Sequence, residues 1–445
     1  MPLTRLSGPV ELDGQLSEPV WDDVTPLPIT VYGPTFQMPP TEKTEILVAY
    51  DDSYLYMAGR LYDSDPTGIR SNTLYRDQFS GDDLFSIVID SYNDYESGVW
   101  FTTTPVGVRS DRTVSNDGEF TNGSAMNNDW NAHWDVATTQ TDEGWFAEMR
   151  IPFSTLGFQD RDGHVEMGLI VYRLIARKNE RQTFPAIPPN WGMGFAKPSQ
   201  AQRVSLEGVY ANKPVYVTPY VLGGVDRESH LNSAETAYEV SNERTTEAGL
   251  DIKYNVTNNL TLDATANTDF AQVEADSQQV NLTRFSLFFP EKRQFFQERS
   301  SLFEFNTGGI SRLFHSRRIG LDDEGEQVRI YGGLRLVGRV GGVDVGVLNM
   351  QTAAQGDLPS ENFGVVRLRR QIFNSFSTVG AIVTTRANTE GDYGISTGFD
   401  ASIRAFGDEY VTAKWAGTFE RGGTAGGGYN FVDASRFVAR WERRN

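Results

Sequence analysis

Cysteine is absent from all 445 residues, which excludes disulfides and thiolate metal sites while leaving the redox compartment open. No run of about 18 apolar residues occurs, so a membrane-spanning helix is excluded; a membrane-crossing strand, only half apolar, is not. Basic residues are few: 40 Lys and Arg stand against 59 Asp and Glu, a net charge of -19, with no cluster able to neutralise phosphates. Nucleic acid is therefore not an expected partner. The four histidines, His133, His164, His230 and His315, are scattered and form no paired zinc spacing. Gly394–Gly398 matches G-x-S-x-G but lies inside an alternating strand pattern, without the strand-to-helix elbow that this nucleophile requires. No apolar export segment follows Met1, so an exported protein is expected to have its signal outside these residues, and Trp441–Asn445 ends on a strand pattern, as in a truncated chain.

Proline and glycine divide the chain. Up to Asn212 there are 30 acidic and 15 basic residues, 15 prolines and 17 glycines; beyond it there are 29 acidic, 25 basic, 4 prolines and 26 glycines. Proline removes a ladder donor, so residues 1–212 read as short strands between loops and residues 213–445 as long sheet. In the first part, alternating runs at Glu45–Tyr50, Tyr54–Leu61, Leu84–Asp90, Gly98–Thr103, Gly144–Ile151 and His164–Ala176 are separated by turns such as Asp51-Asp52-Ser53. That pattern predicts an antiparallel β-sandwich.

Four ordered phrases in this part resemble the family 9 carbohydrate-binding module. They are Leu12-Asp13-Gly14 with Glu18–Trp21, the strand pair Ile46–Tyr50 and Tyr54–Ala58, Asp82–Phe85 with Asp90, and Gly144–Phe153. The resemblance implies a sandwich with Trp21 sealing one end, and it implies sugar binding. A saccharide offers flat C–H faces and hydroxyls, so its site needs an open aromatic ring beside carboxylate, amide or guanidinium groups. Candidates are Trp100, Arg109, Glu119, Asn128, Trp130 and Trp134. A large aromatic in a strand usually packs in the core, which competes for Trp100 and Trp134; Trp130, in a polar stretch, is the better platform. The resemblance also brings structural calcium into consideration, with Asp63, Asp65, Asp82, Asp83 and Asp90 as oxygen donors. Their spacing matches no defined calcium loop, and solvated turns are the expectation, with no other cofactor.

In the second part, periodicity carries the reading. Ala248, Leu250, Ile252, Tyr254 and Val256 share one face and Gly249, Asp251, Lys253 and Asn255 the other; Leu260–Asn267 repeats the pattern after a tight turn. The dyad recurs at Val328–Leu336, with Arg329, Tyr331 and Arg335 reversed, and at Ile395–Ala405, with Ser396, Asp400, Ser402 and Arg404 reversed. About ten such strands of membrane-crossing length predict an antiparallel transmembrane β-barrel with a polar lumen. Residues 269–310 break the pattern and are too irregular to face lipid. They are expected inside the lumen, where Glu274, Asp276, Glu291 and Glu298 would pair with Lys292, Arg293, Arg317, Arg318 or Arg335.

The irregular segment carries a second resemblance. Asp269–Asp276, Asn281–Phe285, Phe288–Phe296 and Ser316–Gly320 look like a family of Gram-negative outer-membrane proteins of unknown function that joins a family 9-like sandwich to a barrel. Members run well beyond this length, which implies an incomplete barrel here. The resemblance implies residence in the outer membrane, with lipid as partner, the sandwich in the periplasm, and binding or uptake of a glycan-containing ligand. The rival readings are a glycan hydrolase with paired carboxylates near Trp130, such as Glu119 or Asp129, and a non-binding envelope scaffold.

Overall fold

The computed structural model describes residues 1–445 except 120–124, 192, 211–214, 232–235, 258, 268–290, 292, 298, 309–310, 323–326, 375, 408, 424–428 and 444–445. Its elements are almost entirely strands, and the only α-helix among the described residues is Gln294–Gln297.

The first part is two packed sheets. One orders Thr4–Arg5, Thr44–Tyr50, Tyr54–Tyr62, Gly144–Pro152 and Asp135–Thr141. The other runs from Thr30–Gly33 through Glu180–Phe184, His164–Ile175, Leu84–Asp90, Gly98–Thr103 and Arg109–Val114 to Met126–Asn127. Their facing side chains, among them Ile46, Val48, Met57, Phe85, Ile87, Phe101, Trp145 and Val171, form the main core. The run Ile46–Tyr50 is apolar throughout because its sheet is covered on both faces: Leu47 and Ala49 point away from that core, under Leu16, Trp21 and Val24. Trp21 therefore covers a sheet face rather than sealing an end, with its Nε1 donating to Glu148 Oε1 at 3.2 Å.

The second part is a ten-stranded antiparallel meander from Val215–Leu231 to Tyr429–Arg443. Its first strand was not foreseen. Pro219 explains why such a strand sits at the edge of the sheet, where a missing donor breaks no ladder. Elsewhere the alternation is as read, with one correction. A register shift between Ile330 and Gly332 moves Tyr331 off the face of Arg335: Tyr331 is 55% exposed and Arg335 1%. Arg329 is also exposed, and its Nε donates to Asn267.

Charged and apolar groups are buried together on one face of this sheet, and large apolar side chains stand open on the other. Arg335, Asp344 and Arg367 are buried, whereas Leu334, Phe399, Phe437 and Trp441 are 55%, 58%, 67% and 70% exposed. What buries the polar face is the irregular segment. Phe296, Phe303 and Phe305 pack on Val337, Leu348, Met350, Val365 and Ile382. Glycines make the room: a Cβ on Gly346 would lie 2.9 Å from Phe303, and one on Gly398 would lie 2.7 Å from Phe305 and 2.8 Å from Leu313. Gly398→Val should therefore overpack this contact and destabilise the chain by about 1–3 kcal/mol. The readout is the unfolding temperature; an unchanged value would mean that Phe305 does not pack there.

Candidate functional site

The proposed sugar-contacting residues do not form one surface. Trp100 is 6% exposed, beneath Phe195 with ring centroids 6.0 Å apart, and the Arg112 guanidinium lies 5.0 Å over its ring. Trp134 is 2% exposed; its ring lies 5.3 Å from Phe101 and its Nε1 donates to Asp111 at 3.3 Å. Both are packing residues: Trp134, just before the strand Asp135–Thr141, lies in the main core between the sheets, and Trp100 lies on the opposite side of its own sheet. Trp130 is half-buried against Phe101, near exposed Asn128. Arg109 is exposed, and its Nη1 donates to the Trp134 carbonyl at 2.8 Å. Glu119 is paired with buried Lys197.

The acidic turns act as caps and ion-pair partners. Asp82 accepts from the backbone N–H groups of Asn72, Thr73 and Ser80, and Asp83 from that of Ala176. Asp63 accepts from Asp65 N and pairs with Arg177, and Asp65 accepts from Thr67 Oγ1. Among the described residues no group of three or more Asp, Glu or His side chains is arranged to hold a metal ion. Two elements that sequence reasoning passed over hold this domain's polar interior. Arg173, fully buried, donates to the carbonyls of Lys43 and Tyr62, and Lys197 Nζ donates to the carbonyl of Asp117. For Arg173, a lone basic residue in an apolar strand was the available signal.

In the irregular segment, Glu291 and Arg293 pair as expected. Arg293 donates from Nε and Nη2 to the two carboxylate oxygens at 2.9 and 2.7 Å, and also to the carbonyls of Ile319 and Ser316. Glu274, Asp276, Lys292 and Glu298 lie outside the described residues. Arg317 and Arg318 sit in the turn Ser316–Arg318, with Arg318 exposed. Arg335 is met by Asp263, its cross-strand neighbour.

The sandwich meets the inner, polar face of the large sheet through two loops. Arg369 Nη1 donates to Glu96 at 2.5 Å, Gln371 Nε2 to the Asp94 carbonyl at 2.9 Å, and the Tyr95 and Phe376 rings meet edge to face at 5.5 Å. Arg299 lies 4.0 Å over Tyr92 and 3.6 Å from Asp344, tying sandwich, irregular segment and sheet together. Between these contacts lies an open cleft, walled by Tyr95–Glu96, Asn116–Asp117 and Glu119 on one side and by the sheet and Ser301–Thr307 on the other.

Residues 12–209 match the family model described as carbohydrate family 9 binding domain-like. The N-terminal sandwich is family 9-like. Residues 216–331 match a second model, a domain of unknown function (DUF5916), which covers the first strands of the large sheet and the irregular segment. No curated protein matches the chain. A crystal structure of a candidate carbohydrate-binding protein from Bacteroides uniformis is similar at 12% identity over 46% of this chain and 98% of that one, with a TM-score of 0.37, too low to support an argument.

The docking loop of this family 9-like sandwich is governed by Asp90. Its carboxylate is fully buried and accepts from Asp94 N at 3.0 Å, Tyr95 N at 2.9 Å and Arg203 Nη1 at 2.6 Å. Burial pushes its pKa from 3.8 up to about 7, with nearby Asp94 adding to the rise and Arg203 opposing it. The folded state thus holds this proton more tightly than the unfolded chain. The stabilisation is complete below the ordinary carboxylate range and is lost as pH rises through about 7. Asp90→Asn, which mimics the protonated form, should remove that share of the pH dependence. Stability curves of the two proteins that stay parallel between about pH 4 and 7 would contradict this assignment.

Proposed function

We propose that this chain is a bacterial outer-membrane protein whose large sheet faces lipid with its apolar side, and whose family 9-like sandwich, on the periplasmic side, captures a carbohydrate-containing ligand for uptake. The observation that carries the membrane half is the contrast between the two faces of the sheet. Charged groups are buried on one face while large apolar side chains stand open along the other in nearly every strand. A contiguous apolar surface of that extent is unstable in water and suits hydrocarbon. Each of the eight inner strands is paired on both sides, as a bilayer requires of spanning backbone, and the two edge strands would have to close on each other or on further strands. The sugar half is supported by the family 9-like match over residues 12–209.

Two measurements test the membrane half. The chain should need detergent for extraction and should shift in mobility on a gel only after heating, as strand-closed membrane proteins do. Phe399→Arg, on the open face, should cost about 2–4 kcal/mol in a bilayer if it lies near the midplane. Purification of the wild-type chain as a soluble monomer without detergent, with Phe399→Arg neutral, would remove the membrane assignment. The sugar half is read by calorimetry on the detergent-solubilised chain with a panel of oligosaccharides, and the absence of binding to any of them would remove it.

A further inference from the structure

We propose that the cleft between the sandwich loops and the inner face of the large sheet is a binding site for an uncharged oligosaccharide, formed by both halves of the chain together. This rests on the sugar-binding reading of the sandwich and moves the contact away from its tryptophans. Trp100 and Trp134 are core residues, and among the described residues no tryptophan of the sandwich is fully exposed. The cleft, by contrast, is open and has two half-buried aromatic rings in its wall, those of Tyr95 and Phe376.

The chemistry of the walls selects the ligand class. Five acidic and four basic side chains line the cleft, which nearly cancel, and most of them are matched within the protein. Arg367 holds Asp400 through two bonds at 2.5 and 3.0 Å, Arg369 holds Glu96 at 2.5 Å, and Lys197 holds Glu119. Among the described residues of the wall, no surplus of one sign is left to attract an ion. Between the charges stand groups able both to donate and to accept, among them Asn116, Ser301, Asn306, Thr307 and Thr412. A ligand rich in hydroxyls, with C–H faces for the rings, satisfies that set. An apolar ligand would leave it unpaired and so pay its desolvation without return.

The sandwich side of the cleft is built to hold its shape. Asn93 and Tyr95 have φ of 53° and 63°, and Asn116, Asp117 and Gly118 have φ of 52°, 53° and 68°. Such conformations persist only when their surroundings fix them. Here Asp94 Oδ1 accepts from Glu96 N and Ser97 N, Asp117 N donates to the Glu96 carbonyl, and the Asp117 carboxylate accepts from Ser199 N and Oγ at 2.9 and 2.7 Å. Both lips are thus tied to each other and to the sandwich before any ligand arrives. Preorganisation of this kind lowers the ordering cost of binding.

The cysteine-free chain allows a direct test. Full-length protein in detergent carries a single thiol, either Thr412→Cys in the cleft wall or Ser53→Cys in a remote turn of the sandwich. Maleimide labelling is followed with maltohexaose, cellohexaose, xylohexaose, chitohexaose or the charged hexagalacturonate, and calorimetry reports binding independently. At about ten times its dissociation constant, at least one uncharged sugar should slow labelling at position 412 about tenfold and leave position 53 unchanged. If Thr412→Cys fails to fold, Thr378→Cys in the same wall replaces it. Binding without protection of the cleft thiol overturns the site and leaves the sugar-binding reading intact. Stronger protection by hexagalacturonate than by every uncharged sugar overturns the ligand class. No binding of any sugar overturns the inference together with the reading on which it rests.

Discussion

A guanidinium withdrawn from water must be met by carboxylates and carbonyls, and the large sheet meets this requirement by pairing its own strands. Arg335 faces Asp263 directly across the ladder, Arg339 and Arg369 converge on Asp344, and Arg367 grips Asp400 two strands away. Losing one partner of a buried pair costs about 3–5 kcal/mol, against about 0–1 kcal/mol for an exposed one. These pairs also fix register, because a one-residue slip would carry the charges to the apolar face. The phenylalanines of the irregular segment then lie over what the charges leave open. Arg367 Nε donates to the Leu302 carbonyl at 3.2 Å, so the charged network itself anchors the segment.

The same network reaches the sandwich. Arg369 divides its guanidinium between Asp344 of the sheet and Glu96 of the docking loop, and Arg299 sits between Asp344 and Tyr92. Movement of the docking loop is therefore felt at the inner face of the sheet. On the sandwich side, Arg203 both grips Asp90 and lies 3.6 Å over the Tyr95 ring, so the loop is fixed from behind as well. The cleft owes its form to this double attachment, which neither half supplies alone.

Alternation made most of the sheet legible in the sequence, since Asp251, Asp263 and Arg335 recur at even spacing among apolar residues. The strand Val215–Leu231 was hidden by Pro219 and by Asp226, Arg227 and Glu228, residues that suit an edge but read as loop. The face of Tyr331 was misread because a bulge resets the period without any mark in the residue types. In the sandwich, Ile46–Tyr50 betrays burial on both faces, but which tryptophans are covered depends on the distant segment Pro185–Ala201 folding over Trp100. The cleft was not legible at all: Glu96, Asn116, Glu304 and Thr412 come from parts of the chain whose meeting is tertiary.

The central claim is that the apolar face of this sheet lies against lipid and the charged face does not. Single spin labels placed in turn from Phe363 to Gln371, along the strand Glu361–Gln371, test it most directly in reconstituted bilayers. Positions 366 and 368 should show high accessibility to oxygen and low accessibility to a water-soluble nickel complex, while 365 and 367 should be shielded from both. Nickel accessibility at 366 and 368 as high as that of an exposed sandwich turn would contradict the account.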